Sequence, residues 1–230
     1  MSVVIAIKDH GVVYMGADTM VTYGDSKRHL NSESSQKIWK VTDTPNCIMG
    51  GAGYLRDINL IRYCTQELVP EANIIKGNID IGVIMQNTVP MIFESIRAYS
   101  KVVDSGEKSL QFGSSFLWAY KDQVFHIMPD GLVEEVDDYE AIGSGADAAL
   151  ASLKHTAGEP VYDRMLKALE AAADISLYVS NPYVVIDTKN CELADLIFDE
   201  VEEEDDTEDI EDEDDEEEDD ESSDETKLPF

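Results

Sequence analysis

The chain has 230 residues, of which 43% are hydrophobic, and a formal net charge of −32 at pH 7. Between Asp199 and Glu225 lie 22 of the acidic residues, so residues 1–198 hold 27 acidic and 16 basic residues, a charge of −11. We therefore predict a moderately acidic globular domain over 1–198 and a disordered acidic tail over 199–230. No stretch approaches 18 apolar residues, which excludes a membrane span. Three cysteines without a paired spacing indicate a reducing, cytoplasmic setting.

The first half of the chain reads as strands followed by helices. "SVVIAI" and "VVYMGAD" predict two strands, and the turn-like "KDHG" between them predicts a hairpin. Residues 19–36 are polar and are expected to form a loop, after which "KIWKV" and "NCIMGGAG" predict two more strands. Apolar spacing predicts helices over 55–68 and 79–103, and Pro90 lies inside the second and is expected to kink or divide it.

The second half repeats this order. We predict strands over 113–121, 123–127, 131–136 and 139–143, then helices in "ADAALASLKHTA" and "YDRMLKALEAAADI". "PYVVIDTK" predicts a late strand, and "CELADLIFDE" a last strand or a short helix. Strands and helices that come in blocks favour an α+β fold, here a four-layer αββα sandwich of two antiparallel sheets flanked by helix pairs.

Ser2 is a candidate nucleophile because removal of Met1 would make it the N-terminal residue. Its α-amine, with a pKa of about 7.7–8.0, could then take the proton of its own hydroxyl. Very many proteins begin with Met-Ser, so this feature alone is weak. The surrounding residues strengthen it: Asp18 ends the second strand and Lys37 opens the third, so that a charged pair could tune a nearby nucleophile.

Other candidates follow from position in the chain. Gly50 lies in a glycine run at a strand end, where a backbone N–H can approach an oxyanion. Ser144 lies in "GSG" between a strand and a helix, and Asp174 lies late in a helix. Each has an ordinary structural alternative, since glycines mostly form turns and a strand-end Asp is usually a turn residue.

Taken together, the motifs resemble proteasome-type N-terminal nucleophile hydrolases, such as proteasome β-subunits and the bacterial peptidase HslV. "SVVIAIKDHGVVYMGADTMVT" matches the family's first hairpin without a gap, with Ser2 at the threonine position. "KIWKV", "CIMGGAG", "EAIGSGADAAL" and "AAADISLYV" match further family motifs in the same order. The resemblance covers roughly residues 2–187.

The resemblance implies that Ser2 attacks a peptide carbonyl, with its own amine as the base. It implies that Lys37, held by Asp18, tunes the protons and that the N–H of Gly50 binds the oxyanion. Ser144 and Asp174 would orient the amine. For substrate binding it implies Val21, Thr22 and Ile48, with Val21 and Ile48 lining the pocket for the side chain before the cleaved bond. No metal or other cofactor is expected.

Three positions depart from the family pattern. The nucleophile is serine, which lacks the rotamer-fixing methyl of threonine, and Val3 and Leu177 stand where many members carry Thr and Ser. Because Lys37, Asp18, Ser144 and Asp174 all persist, the leading hypothesis is nevertheless an active peptidase that uses serine. The alternatives are a catalytically inactive structural or interaction subunit of the same fold, and an amidase or acylase of the wider N-terminal nucleophile class.

The resemblance also implies partners. We expect peptides or unfolded proteins as substrates, a homo-oligomeric ring, and possible use of an ATPase unfoldase, without a nucleic-acid or membrane partner. For the acidic tail we expect a solubility role or the electrostatic docking of a basic partner, and its closing "TKLPF" is a candidate docking motif.

Overall fold

The computed structural model describes residues 2–42, 44–64, 79–100 and 113–196. Its strands are β1 (Val3–Asp9), β2 (Val12–Asp18), β3 (Met20–Tyr23), β4 (Ser26–His29), β5 (Ile38–Lys40), β6 (Cys47–Ala52), β7 (Ser115–Tyr120), β8 (Gln123–Ile127), β9 (Val133–Glu135), β10 (Tyr139–Gly143), β11 (Tyr183–Asp187) and β12 (Ala194–Leu196). The helices are α1 (Leu55–Cys64), α2, α3 (Ala146–His155) and α4 (Val161–Ile175). Helix α2 consists of α-helical Ile81–Val83, π-helical Ile84–Thr88 and α-helical Val89–Ser100.

The strands form two five-stranded antiparallel sheets and a separate hairpin. The first sheet has the order β10-β1-β2-β11-β12, the second has the order β5-β6-β7-β8-β9, and β3 pairs with β4. Strand β1 is paired on both edges, by β10 and β2. The residue that precedes β1 is therefore held between the ends of two neighbouring strands.

Burial on both faces explains the unbroken apolar run of β1. Ile5 and Ile7 pack in a cluster with Leu153 and Leu169 of helices α3 and α4. The intervening Val4 packs between the two sheets, with residues from the second sheet such as Ile48 and Leu117. Helices α1 and α2 cover the outer face of the second sheet. The predicted αββα sandwich is confirmed by this layer order.

One sequence-based expectation needs correction, and Pro90 accompanies an irregularity of α2. Residues 19–36, expected to be a loop, contain the hairpin β3–β4 and a 3₁₀ turn at Glu33–Ser35. The pattern was inconspicuous because β4 is mostly exposed and polar, so it lacks the alternation that marks a strand. Pro90 lies within α2, and the π-helical segment ends just before it, where the missing proline N–H removes an α-helical bond.

Some expectations concern residues that the structure does not describe. The predicted helix ends at 68 and 103 and the acidic tail lie outside the described residues, so the division at residue 198 stays a prediction. Within the described ranges, no helix is both long and apolar enough to cross a membrane.

Candidate active site

Three strand ends meet at Ser2. Ser2 precedes β1 and is 3% exposed. Its neighbour Val3 pairs with Gly143 at the end of β10, and Val4 pairs with Ala17 near the end of β2. Asp18 and Ser144, which directly follow these partners along the chain, are thereby brought to Ser2.

Asp18 and Lys37 form an ion pair beside this point. The Nζ of Lys37 donates to Oδ2 of Asp18 at 2.7 Å, and the two side chains are 1% and 0% exposed. Asp18 also accepts hydrogen bonds from the backbone N–H of Val3, at 2.9 Å, and of Met20, at 3.2 Å. The carboxylate therefore binds both the lysine and the first strand next to Ser2.

Burial shifts the pKa values of this pair in opposite directions. Loss of solvation raises the pKa of Asp18 and lowers the pKa of Lys37, because burial disfavours both charged forms. The ion pair itself opposes both shifts, and the two backbone N–H donors further oppose the rise in the pKa of Asp18. A lysine with a lowered pKa can exchange protons nearer neutral pH than an exposed lysine can.

Hydroxyl groups lie on the other side of Ser2. The Oγ of Ser144 donates to the carbonyl oxygen of Ser2 at 3.4 Å and lies 3.1 Å from the Oγ of Ser176. Gly143 has a φ of +101°, and a Cβ there would lie 2.1 Å from the carbonyl oxygen of Ser2. Only glycine fits this close approach, which explains the first residue of the "GSG" motif.

The structure does not join Asp174 to this group. Asp174 is exposed in the last turn of α4, and no hydrogen bond links it to Ser2 or Ser144 among the described residues. Its charge acts instead on Glu170, whose pKa is raised first by burial and then by Asp174. The position beside Ser144 belongs to Ser176, two residues further along, which is 9% exposed. Sequence reasoning missed Ser176, although it lies in the quoted segment "AAADISLYV".

The strand register does not support Gly50 as the oxyanion donor. The N–H of Gly51 donates to the carbonyl oxygen of Lys37 at 2.9 Å, which makes these two residues a hydrogen-bonded pair. Successive residues direct their N–H groups to opposite neighbours, so that of Gly50 is directed to β7, where it pairs with Leu117. Gly53 lies two residues after Gly51, just beyond the end of β6, and lines the cavity at Ser2. Of Gly50 and Gly53, Gly53 is therefore the one that lines the cavity, whereas the N–H of Gly50 is directed to β7.

A cavity of about 860 Å³ opens at Ser2. Its lining includes the predicted substrate residues Val21 and Thr22. Ile48 is 0% exposed and packs between the two sheets, outside this cavity. The side chain of Ile48 lies on the face of β6 that is packed against the other sheet. Its assignment to the substrate pocket is therefore not supported. The beginning of α1, which no motif had marked, lines the cavity instead through Leu55 and Arg56.

The described residues contain no cluster of His, Cys, Asp and Glu side chains that could hold a metal ion. What the site offers is therefore the hydroxyl of Ser2, a buried cation paired with a carboxylate, further hydroxyl groups and backbone N–H donors. This set can stabilise an oxyanion and move protons around a serine hydroxyl.

Comparison with known proteins gives a consistent result. Residues 2–185 match the model of the proteasome subunit family. Two solved structures of Thiobacillus denitrificans BPH, one in complex with epoxomicin, are similar at TM-scores of 0.65 and 0.64. They share 16% and 17% identity and cover 85% and 86% of this chain and 99% of their own. HslV from Trypanosoma brucei has a TM-score of 0.57, 20% identity, and coverage of 80% and 98%. No curated protein matches the chain.

Proposed function

Because the chain belongs to the proteasome subunit family, we propose that it is a proteasome-like endopeptidase subunit that cleaves peptide bonds with Ser2 as an N-terminal nucleophile. One observation carries the proposal: the buried Lys37–Asp18 ion pair, at 2.7 Å, is hydrogen-bonded through Asp18 to the backbone N–H that follows Ser2. Burying two charges costs free energy, and their placement beside the terminal residue supports a role in its chemistry.

In the proposed reaction the Oγ of Ser2 attacks the peptide carbonyl. Its proton passes to the α-amine of Ser2, directly or through one water, and a tetrahedral oxyanion forms. A backbone N–H of the glycine run binds this oxyanion. Gly53 is the candidate donor because it lines the cavity, whereas the N–H of Gly50 is directed to β7. The C–N bond then breaks, the leaving amine takes the proton from the α-ammonium, and an ester to Ser2 remains.

Water completes the cycle. The α-amine removes a proton from a water molecule, the resulting hydroxide attacks the ester, and the acid product leaves as Ser2 regains its proton. Lys37, held by Asp18, sets the local positive charge and lowers the free energy of the developing anion. Ser144 orients the first residue through its hydrogen bond to the carbonyl oxygen of Ser2. For Asp174 the exposed position supports no such role.

The substrate would lie extended across the cavity. Val21 and Thr22 lie within β3, and Gly53 directly follows β6; all three line the cavity. Backbone groups at these positions could pair with a peptide as an added strand. Such pairing binds the main chain of a peptide and leaves the selection of side chains to the walls of the cavity.

The test begins with the N-terminus. Intact-mass measurement of the mature protein should show Ser2 as its first residue, because a preceding residue would block the amine. Ser2→Ala should abolish the hydrolysis of fluorogenic peptides, whereas Ser180→Ala should leave it intact, because the hydroxyl of Ser180 donates to the carbonyl oxygen of its neighbour Asn181. Epoxomicin, found in complex with Thiobacillus denitrificans BPH, should inhibit the unmodified protein. Hydrolysis that persists in Ser2→Ala would contradict the proposal.

A catalytically inactive structural subunit of the same fold is the second candidate. The observation that favours it is the loss of a family feature: Leu177, where many members carry Ser, is 91% exposed, and Asp174 lies away from Ser144. Such a subunit would assemble normally and hydrolyse no peptide, even with its N-terminal serine freed. Hydrolysis by a preparation of verified N-terminus would exclude it.

We also propose the assembly and setting of the protein. Proteasome and HslV family members form oligomeric rings, and a ring of identical copies of this chain, in the cytoplasm, would enclose the proposed active sites. The acidic tail would be disordered and act through charge, and an ATPase unfoldase could deliver substrates. Native mass spectrometry would count the subunits, and a protein that stays monomeric at micromolar concentration would contradict the ring.

A further inference from the structure

The cavity at Ser2 has an uneven distribution of charge. Two cationic side chains, Lys37 and Arg56, are among the residues that line it. No Asp or Glu lines the cavity in the described part of the chain. Lys37 is 1% exposed and forms an ion pair with Asp18. Arg56 is 59% exposed, so of these two cations it is the one that a bound molecule can reach.

Arg56 is held in place by hydrogen bonds to the buried carboxylate of Asp57. Its Nε and Nη2 donate to Oδ1 of Asp57 at 3.3 and 3.1 Å, and Asp57 is 1% exposed. The other oxygen, Oδ2, accepts a hydrogen bond from the Oγ of Ser114 at 3.3 Å. A guanidinium has five N–H donors in a fixed fork. Anchoring through one carboxylate oxygen therefore positions the group while leaving donors for a second anion.

The surroundings of Arg56 strengthen such a contact. Val21, Leu55 and Ile58 line the same cavity and present apolar surface. A side chain bound against these walls displaces water from the guanidinium, and an arginine–carboxylate hydrogen bond is stronger where water is excluded. A bound glutamate side chain would meet apolar walls along its methylene groups and the guanidinium at its tip.

We propose that Arg56 makes this site selective for peptides that carry Glu or Asp on the residue that supplies the scissile carbonyl. The inference rests on the proposed function, because that function puts the scissile carbonyl at Ser2. Ser2 and Arg56 line one cavity, so a peptide whose carbonyl reaches Ser2 brings its adjoining side chain into the space beside Arg56. The substrate class is thus acidic peptides, although the protein itself is strongly acidic.

The first experiment measures binding without chemistry. The full-length Ser2→Ala variant is titrated with two fluorescent tetrapeptide amides that differ only in a last residue of Glu or Gln. These side chains have nearly the same shape, so the ratio of their dissociation constants isolates the charge. We expect the Glu peptide to bind about tenfold more tightly, the size of one charge-assisted hydrogen bond. Equal dissociation constants, or no binding of either peptide, would overturn the proposal.

Three further variants assign the preference to Arg56. In the Ser2→Ala background, Arg56→Gln should reduce the ratio to about one, and Arg56→Lys should retain part of it, because lysine keeps the charge without the fork. Arg97→Gln, which removes an exposed arginine of α2, should leave the ratio unchanged. If Arg56→Gln unfolds because Asp57 loses its partner, Arg56→Gln/Asp57→Asn replaces it, since an amide can still bond Ser114. A ratio that survives either change would overturn the assignment.

The second experiment separates this inference from the proposed function. The protein with a free Ser2 is assayed with fluorogenic versions of the same two peptides. A higher kcat/KM for the Glu substrate, abolished by Arg56→Gln, is the expected result. Equal kcat/KM values would overturn the selectivity while leaving the peptidase proposal intact. Absence of all hydrolysis, beside a clear Glu preference in binding, would overturn the proposed function and leave the recognition of acidic peptides standing.

Discussion

The two sides of Ser2 are built by different physical means. On one side a lysine and an aspartate, 1% and 0% exposed, are fixed by a 2.7 Å ion pair. On the other side neutral hydroxyls of Ser144 and Ser176 lie 3.1 Å apart, positioned by the turn that Gly143 makes possible. The first side depends on charges without access to solvent, and the second depends on the path of the backbone.

This difference has an energetic consequence. A buried charge that loses its partner keeps the full cost of desolvation, which amounts to several kcal/mol. A hydrogen bond between two hydroxyls contributes only about 1 kcal/mol net, since water can replace either partner. We therefore expect substitutions on the charged side to act mainly on folding. Substitutions on the hydroxyl side should act mainly on the geometry of Ser2.

The largest effect is expected for Lys37→Met. Methionine has a similar length but leaves Asp18 buried without its cation, and such losses typically cost about 3–5 kcal/mol in the free energy of unfolding. Urea denaturation measures this cost. Lys167→Met is the matched control, because Lys167 forms a 2.6 Å pair with Glu159 while 49% exposed, and solvent screens such pairs. Equal destabilisation by both substitutions would contradict the distinction between buried and exposed pairs.

The loss in Lys37→Met should also depend on pH. Burial already raises the pKa of Asp18, and without Lys37 a main opposing influence disappears, so the pKa rises further. Above about pH 4 the unfolded chain releases this proton, whereas the folded variant retains it. The folded state then binds more protons, so the stability of the variant should fall as pH rises from 4 to 7. A difference from the unmodified protein that stays constant over this range would exclude the linkage.

A second large loss of stability is expected for Gly143→Ala, because Gly143 packs against the backbone of Ser2. Gly143 and Gly158 have φ values of +101° and +94°, so alanine is strained at both. Beyond that strain, a Cβ at position 143 would lie 2.1 Å from the carbonyl oxygen of Ser2, whereas nothing lies within 4 Å at position 158. We expect Gly158→Ala to cost about 1–2 kcal/mol and Gly143→Ala about 3 kcal/mol or more.

Thermal or urea unfolding of both alanine variants isolates the steric contact from the shared strain. Because Gly143 adjoins Ser2, its alanine variant should also lower peptide hydrolysis more than Gly158→Ala does. Equal losses of stability at the two positions would mean that Ser2 can move away from the new Cβ. The close packing of Gly143 against Ser2 would then not be required for folding.

The sequence could predict the charged side because residue type and strand ends were sufficient. Apolar runs define β1, β2 and β5, and Asp18 and Lys37 stand at the limits of such runs, where charged residues are conspicuous. In the αββα sandwich, β1 and β2 are neighbours in one sheet and β5 lies in the other sheet. The end of β2 and the start of β5 can therefore come together, which brings Asp18 close to Lys37. The order of layers follows from the blocks of strands and helices, and the family resemblance implies the pairing of Lys37 with Asp18.

The hydroxyl side and the pocket could not be predicted in the same way. Whether Ser176 or Leu177 turns toward Ser144 depends on the exit from α4, where one residue of difference changes the direction of the side chain. Similarly, the direction of the N–H of Gly50 depends on the pairing of Lys37 with Gly51, and a slip by one residue would reverse it. Apolar periodicity carries no information at that precision.

A smaller effect is expected for Ser176→Ala. The substitution removes the hydroxyl that lies 3.1 Å from Ser144 Oγ and accepts from the N–H of Tyr178 at 3.3 Å. We expect a loss of about 1 kcal/mol in stability. If Ser176 positions Ser144, kcat should fall several-fold and the pH profile should shift, while KM stays constant. Ser180→Ala, in the same segment, should change neither, and equal kcat values for the two variants would reduce Ser176 to a structural residue.

The smallest effect is expected for Asp174→Asn, and here family resemblance and geometry disagree. The resemblance gives Asp174 a part in orienting the terminal amine, so its loss should sharply reduce hydrolysis. In the structure Asp174 is exposed at the end of α4, and Ser176 occupies the position beside Ser144. An exposed substitution away from strained or buried features changes stability by less than about 0.5 kcal/mol. We therefore expect unchanged unfolding and a kcat/KM within about twofold of the unmodified protein, because no contact to the site is lost.

Measured beside Ser176→Ala, the same assay ranks the two residues directly. A greater loss in Ser176→Ala than in Asp174→Asn would mean that this chain has moved the orienting role by two residues, from a carboxylate to a hydroxyl. The reverse order would restore the role that the resemblance assigns to Asp174. It would also require the exit from α4 to rearrange when Ser2 becomes the first residue, since the carboxylate would then have to reach Ser144.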